Sequence, residues 1–278
     1  MNILEFSSLV WLSSLTAGFL GSLTGLGGGV VIVPMLTLAF GVDIRYAVGA
    51  SLVSVIATSS GAASAYVKEG YTNLRLGMFL EIATTAGALV GAIVAGMVSS
   101  RAIAIVLGIV LIYSAYLSRQ PRVEHLDSEP PDPLATSLKL NGSYPTPDGL
   151  QSYNVRAVPV GFGLMFIAGI LSGLLGIGSG AVKVLAMDRA MHIPFKVSTT
   201  TSNFMIGVTA AATAGVYLRR GYIDPGLAMP VMLGVLVGAL LGAKVLVRAR
   251  IELLRNIFSL VILALAIEMI YKGLTGGI

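Results

Sequence analysis

Gly25-Leu26-Gly27-Gly28-Gly29 stands between a long apolar block, residues 3–24, and a shorter one, residues 29–41. Further on, Gly176-Ile177-Gly178-Ser179-Gly180 stands in the same way between residues 157–175 and 180–191. Glycine loses more backbone freedom in a helix than any other residue, so a run of this kind interrupts a helix instead of lining one. In lipid, an interruption strands backbone N–H and C=O groups. It is tolerated only where protein or a watery cavity surrounds it. The helix that restarts after the break presents free N–H groups at its positive end and attracts anions. A nucleotide-binding loop does not fit, because neither cluster is followed by Gly-Lys-Ser/Thr. Close helix packing is the alternative use of glycine in membranes, and it suits Gly87/Gly91 and Gly234/Gly238/Gly242 better than the two clusters.

The two clusters belong to a longer correspondence. A shift of 151 positions, without gaps, lays Ala17-Gly18 on Ala168-Gly169, Arg45 on Lys196 and Ser51 on Ser202. It also lays Tyr66 on Tyr217, Gly70-Tyr71 on Gly221-Tyr222, and Gly87 and Gly91 on Gly238 and Gly242. Two glycine clusters and two Gly-Tyr pairs in one register point to an internal repeat of the sort found in transporters. The organisation expected is a first transmembrane repeat over 1–118, a polar Pro-rich linker over 119–156, and a second transmembrane repeat over 157–278. The linker holds six of the prolines, Pro121 to Pro147, and its composition reads as exposed chain.

Composition sets the class. Of the 278 residues 55% are hydrophobic and 11% charged, against roughly 25% charged in ordinary soluble domains. Residues 74–98, 102–117, 157–175, 226–247 and 256–271 are almost free of charge, and about 20 apolar residues cross a bilayer. The fold class expected is all-α: a polytopic integral membrane protein of two sequence-related halves. Each half has about four long helices plus a short broken or re-entrant segment at the glycine cluster. In the first half the long helices fall near 3–24, 46–67, 74–98 and 101–118. In the second they fall near 157–175, 197–218, 226–247 and 252–272.

The short segments decide topology. If they do not cross, the halves are parallel; if they do, the halves are inverted. With Lys183 and Lys244 set aside as intramembrane, the crossing arrangement divides Lys and Arg eleven to five, with the linker on the rich side. Basic residues favour the cytoplasm, so the halves read as inverted and the linker as cytoplasmic. The excess of basic residues, five over acidic, sits mostly between apolar blocks, so nucleic acid is not an expected partner. There is no cysteine, and His125 and His192 have no metal-ligand spacing, so no metal or cofactor is expected. The partners expected are a small anionic substrate and the lipid bilayer, with a homo-oligomer left open.

Several residues inside the apolar blocks can carry chemistry. Lys183 follows the second cluster, where a cation beside a helix N-terminus would favour an anion. Glu81 can pair with a lysine or carry a coupling proton. Lys244 and Glu268 suit an interface, where long side chains reach headgroups. Ser51, Thr201, Ser202 and Asn203 can donate to an oxyanion without burying a charge; helix–helix hydrogen bonding is the plainer use of the same groups. Arg45 and Lys196 can attract anions at two entrances or anchor the helices at interfaces.

With these residues in view, the chain resembles the sulfite exporter TauE/SafE family. The likeness lies in Gly21-Ser-Leu-Thr-Gly-Leu-Gly-Gly-Gly29 with Val33-Pro34, in Gly49-Ala-Ser-Leu52, in Gly173-Leu-Leu-Gly-Ile-Gly-Ser-Gly180, and in the stretch Thr201–Ala211. The family's pattern usually has glycine where Ser179 stands and often proline where Leu185 stands. The resemblance implies a multi-pass transporter of the plasma membrane (the cell inner membrane). It implies export or import of sulfite, a sulfonate or a related oxyanion, coupled to protons or ions. An anion would then bind between the breaks at Gly27, Gly28, Gly29 and Gly178, Ser179, Gly180, with Ser51, Thr201, Ser202 and Asn203 as donors and Lys183 as charge. An anion channel is the alternative. An intramembrane enzyme is a weaker one, since no nucleophile–base motif stands in the apolar blocks.

Overall fold

The computed structural model describes residues 2–24, 28–68, 70–119, 132–146, 149–246 and 251–277. Helices dominate, and the expected segments form where the apolar blocks lie. The first half contains α1 (Ile3–Thr24), α2 (Gly29–Phe40), α3 (Ile44–Lys68), α4 (Leu74–Ala95) and α5 (Ser100–Arg119). The second contains α7 (Val158–Leu175), α8 (Gly180–Leu185), α9 (Phe195–Arg219), α10 (Pro225–Leu246) and α11 (Ile251–Thr275). Among the described residues, three helical stretches are long and apolar enough to span a bilayer by length and composition: Leu74–Ala95, Val158–Leu175 and Pro225–Gly242.

The faces of these helices are sorted for lipid. On α4 the large side chains Met78, Ile82 and Ile93 are exposed, while Gly77, Ala83, Gly87, Ala88, Gly91 and Ala92 are buried. Lipid tails are as apolar as leucine, so hydrophobicity alone gives membrane helices no reason to associate. Small residues that admit close backbone approach supply the packing instead. A Cβ on Gly87 or Gly91 would run into the carbonyl oxygens of Phe166 and Ile170 on α7, and one on Gly169 or Gly173 into those of Thr84 and Ala88 on α4. The α4–α7 pair is therefore in backbone contact. So is α1–α10, where Gly18 meets the Val235 carbonyl and Gly238 the Leu15 carbonyl.

These two interfaces use corresponding positions. Gly87 against Phe166 becomes Gly238 against Leu15 when each residue is moved by 151, and Gly169 against Thr84 becomes Gly18 against Val235. Each half's first long helix thus packs on the other half's third, and α3 packs on α9 and α5 on α11. The same exchange relates two cation–ring contacts. Arg45 lies 5.9 Å from the centroid of the Tyr222 ring, and Lys196 lies 5.9 Å from that of Tyr71.

Chain direction follows from the contacts at the helix ends. The rings of Phe6 and Phe40 meet at 5.8 Å, so α2 returns to the end where α1 begins. From there α3 starts, with Arg45 donating to the carbonyl of Val98 just past α4. In the second half, Thr200 donates to the Tyr71 carbonyl and Thr201 accepts from the Asn73 amide. Those partners precede α4, so α9 begins at the opposite end from α3.

Two local features differ from the sequence reading. The short segment expected over 180–191 is α8 followed by a π-helical turn, Ala186–Ala190. Its counterpart α2 is a plain helix holding Pro34, while Leu185 occupies the matching place in α8.

The linker is also less exposed than its composition suggests. Residues 132–146 and 149–156 fold into a small cap: helix α6 (Pro133–Ser137) and strands β1 (Gly142–Thr146) and β2 (Gly149–Tyr153), paired antiparallel. Ala135, Leu140, Tyr153 and Val155 are buried with Leu76, Met187 and Met191 of the bundle. The expectation of exposed chain fails there because these few apolar residues dock on an existing surface and need no core of their own. Asp132 fastens the cap, accepting from the amide of Leu134 at 2.9 Å and from that of Val158 at 3.0 Å, so one carboxylate caps two helices. Asn73 caps α4 and donates to the Leu140 carbonyl and the Tyr153 hydroxyl, both at 2.8 Å. Burial pushes the Tyr153 phenol up to about 12, against the opposing effect of the Asn73 bond, so it stays protonated.

Candidate functional site between the helix breaks

The start of α2 and the second break meet at Ser51. Ser51, on α3 of the first half, donates to the carbonyl of Gly176 at the second break, at 2.9 Å. A Cβ on Gly29 would stand 2.8 Å from the Ser51 hydroxyl and 3.3 Å from that Gly176 carbonyl. The start of α2, Ser51 and the second break are thus in direct contact, and Ser51 is fully buried. Ser202, in the matching position of the other half, donates to the Gly180 carbonyl at 3.4 Å.

The second break is built by left-handed backbone. Gly176, Gly178 and Ser179 have φ of 66°, 71° and 44°. Glycine takes such angles freely; serine does not. Ser179 is held there by donating its hydroxyl to the Ala168 carbonyl at 2.7 Å. Neither α2 nor α8 has a side-chain cap on its N-terminus. Gly28 sits against Val235 and Gly18, where it serves close packing, and Gly178 against Ile206. Gly27 lies outside the described residues.

Lys183, fully buried one turn into α8, donates its ammonium to the hydroxyl of Thr209 on α9 at 2.6 Å. That hydroxyl is also 2.7 Å from Oε1 of Glu81 on α4. Thr85 donates to Glu81 Oε1 at 2.8 Å and Thr84 to Oε2 at 2.9 Å. Two intramembrane charges from different halves are thereby joined through one threonine. A buried carboxylate is tolerable only when paired and hydrogen-bonded, and three hydroxyls plus a nearby ammonium meet that demand.

The other predicted residues lie elsewhere. Thr201 is buried but faces the Asn73 amide at the capped end of the bundle. Asn203 is half-buried on the same helix. Arg45 and Lys196 stand at opposite ends, each over a tyrosine of the other half. Glu268 pairs with Lys272 at 3.6 Å with its side chain 52% exposed, as a residue at an interface would be. The Lys244 side chain lies outside the described residues. Thr209, Thr84 and Thr85 were not singled out from sequence. Thr209 lies seven residues after Ser202, on the same helix face, and that spacing is the signal that points to it.

Comparison with known proteins agrees with this architecture. The profile of the family described as sulfite exporter TauE/SafE matches residues 10–269. A probable membrane transporter protein of Bacillus subtilis, YunE, is 29% identical over 268 residues, covering 94% of this chain and 96% of its own length. A second from that organism, YdhB, is 25% identical over 85% of this chain and 87% of its own. MJ0441 of Methanocaldococcus jannaschii, also named as a probable membrane transporter protein, is 28% identical over 87% of this chain and 89% of its own. No solved structure shows significant similarity. The match spans both glycine clusters, the buried lysine and the threonine that links it to Glu81; the chain belongs to the sulfite exporter TauE/SafE family of membrane proteins.

Proposed function

We propose that the protein is a secondary transporter of a small anion, and that the anion is a sulfur oxyanion such as sulfite or a sulfonate. It works in the plasma membrane as two inverted repeats, with the linker on the cytoplasmic side. The observation that carries this reading is the meeting of the start of α2 with the second break at Ser51, with Lys183 one turn beyond that break. An anion lodged there is offered backbone N–H groups at Gly28, Gly29, Gly178, Ser179 and Gly180. Ser51 and Ser202 donate hydroxyls, and Lys183 contributes a cation. Thr201 and Asn203 flank Ser202 on α9, Thr201 on the side of the capped end, and line the route to the site. Sulfur itself enters through the family, whose name is that of sulfite exporters.

Alternation follows from the exchange of contacts between halves. Inverted repeats can trade conformations, so that the arrangement around Arg45 and Tyr222 at one end is adopted by Lys196 and Tyr71 at the other. One end opens as the other closes, and the site between the breaks is never open to both sides. Arg45 and Lys196 then act as the cations that gather anions at each mouth.

A ligand that binds the folded state raises apparent thermal stability by mass action, by about 2.7 kcal/mol at a hundredfold excess over Kd. Purified protein screened with sulfite, sulfoacetate, taurine, thiosulfate, sulfate, acetate and chloride is expected to show a saturable shift with a sulfur anion, lost in Lys183→Ala. A shift with acetate or chloride alone would retire the sulfur assignment. A sulfur-anion shift that survives in Lys183→Ala would remove Lys183 from the site.

A further inference from the structure

The bond chain from Lys183 through Thr209 to Glu81 occurs once, although its surroundings occur twice. The positions that correspond to Lys183, Thr209 and Glu81 across the shift of 151 are Ile32, Thr58 and Met232. Ile32 is fully buried, and the Thr58 hydroxyl turns back to carbonyls of its own helix. Packing of the inverted halves therefore does not require the two charges, since Ile32 and Met232 stand at their matching positions. Burying a lysine and a glutamate in a membrane bundle is costly, and a pair of apolar residues would be cheaper.

The triad is also arranged to have two states. The Thr209 hydroxyl has one proton and two acceptors in reach: Glu81 Oε1 at 2.7 Å and the Met205 carbonyl at 2.9 Å. Towards an ionised Glu81 it donates, while it accepts from Lys183. If Glu81 takes a proton, the hydroxyl can turn to Met205 and the link between the two charges is cut. Few other ionisable groups bear on the carboxylate. The helix α7, packed along α4, has no titratable side chain, and α4 itself has Arg75 near its start. On α9 the titratable groups are Lys196 at the start and Tyr217 and Arg219 at the end, with Thr209 between them. Arg220 follows and holds the last turn of α4 through the Ala92 carbonyl. Lys183 alone reaches Thr209 from α8.

We propose that Glu81 and the transported anion compete for Lys183 through Thr209, so that each monoanion entering the site is accompanied by one proton taken up by Glu81. This rests on the transporter reading above and adds its coupling. Empty, the triad holds an ammonium and a carboxylate. Loaded, it holds an ammonium, the anion and a neutral carboxylic acid. The net charge buried in the bilayer is zero in both states, so neither state incurs the penalty of an uncompensated charge. The proton enters from the side that supplies the anion and leaves Glu81 when the anion departs and Lys183 returns to Thr209. Transport of a monoanion is then electroneutral symport with a proton. Thr209 is a positioning residue: it touches both charges and need not touch the anion.

The test uses the whole protein in proteoliposomes, with four permanently charged monoanions as probes: methanesulfonate, isethionate, chloride and nitrate. None carries a proton of its own near neutral pH. Internal pH and anion uptake are read together while a potassium gradient with valinomycin fixes the membrane potential. The expected result is one proton per anion, no response to the potential, and accumulation of about tenfold per pH unit of gradient. Glu81→Gln is expected to exchange anion for anion but to lose accumulation driven by the pH gradient. Thr209→Val should lower the proton-to-anion ratio, and Thr209→Ser should restore it, which a merely structural role would not give. Flux that follows the potential, or uptake without protons in the wild type, would overturn the coupling and leave the transporter reading standing. Absence of flux for all four anions would overturn both.

Discussion

Ser179 occupies a left-handed conformation at φ 44° and is secured by a 2.7 Å bond to the Ala168 carbonyl. Loss of the hydroxyl keeps the backbone strain and removes what offsets it. Ser179→Ala is therefore expected to lower stability by about 1–3 kcal/mol. Ser179→Gly removes strain and bond together and should fall near wild type. Unfolding of the purified variants, followed by helical signal, measures both. If Ala and Gly behave alike, the bond contributes nothing. At this scale the sequence was legible where a residue is expensive. Lys183 and Glu81 stand out in apolar blocks because charge in lipid is costly, and both occur in one bonded triad. Threonine in a membrane helix carries no such mark. Thr209 is 128 positions from Glu81, and only the folded chain shows that it joins the two. Thr201 was legible as a hydroxyl, yet consecutive helical residues point about 100° apart. So Ser202 faces a helix break while Thr201 faces Asn73.

Helices were the easiest elements to anticipate, since apolar length and glycine or proline punctuation fix them within a few residues. The pairing of helices was not legible in detail, because glycine marks a site of close approach without naming the partner. Gly169 and Gly173 of α7 are set on the backbone of α4 at Thr84 and Ala88. A branched side chain there must push the helices apart. Gly169→Val is expected to cost about 1–3 kcal/mol or more and to reduce folded yield. Gly163, on the same helix with nothing within 4 Å of where its Cβ would stand, provides the contrast. Gly163→Ala should be neutral or slightly stabilising, by about 0.5–1 kcal/mol. Equal loss in the two variants would mean that glycine matters through backbone freedom and not through the α4–α7 contact. The π-turn after α8 and the capping hairpin escaped the sequence reading for different reasons. A π-turn has no compositional signature. The hairpin's prolines and polar residues conceal a handful of apolar contacts with Leu76, Met187 and Met191.

Across the whole molecule, the inverted reading rested on the distribution of basic residues, and the contacts at the helix ends place the starts of α3 and α9 at opposite ends. With the linker in the cytoplasm, exposed Ser143 of the cap faces inward and exposed Asp224, before α10, faces outward. The chain has no cysteine, so single cysteines can report on this without further changes. In intact cells an impermeant thiol reagent is expected to label Asp224→Cys and to spare Ser143→Cys. The opposite pattern would turn the protein over in the membrane without altering the site.

Transport as proposed needs one anion site between the two breaks that opens to each side in turn. Ser51→Cys and Ser202→Cys place a single thiol at the meeting of the breaks, in vesicles whose outer and inner solutions can carry an impermeant thiol reagent separately. Alternation requires that reagent on either side modify the thiol slowly, that a transported sulfonate change the two rates in opposite directions, and that simultaneous access never let reagent through the membrane. A thiol labelled rapidly from both sides at once, with reagent crossing freely, would contradict the account and identify an open pore.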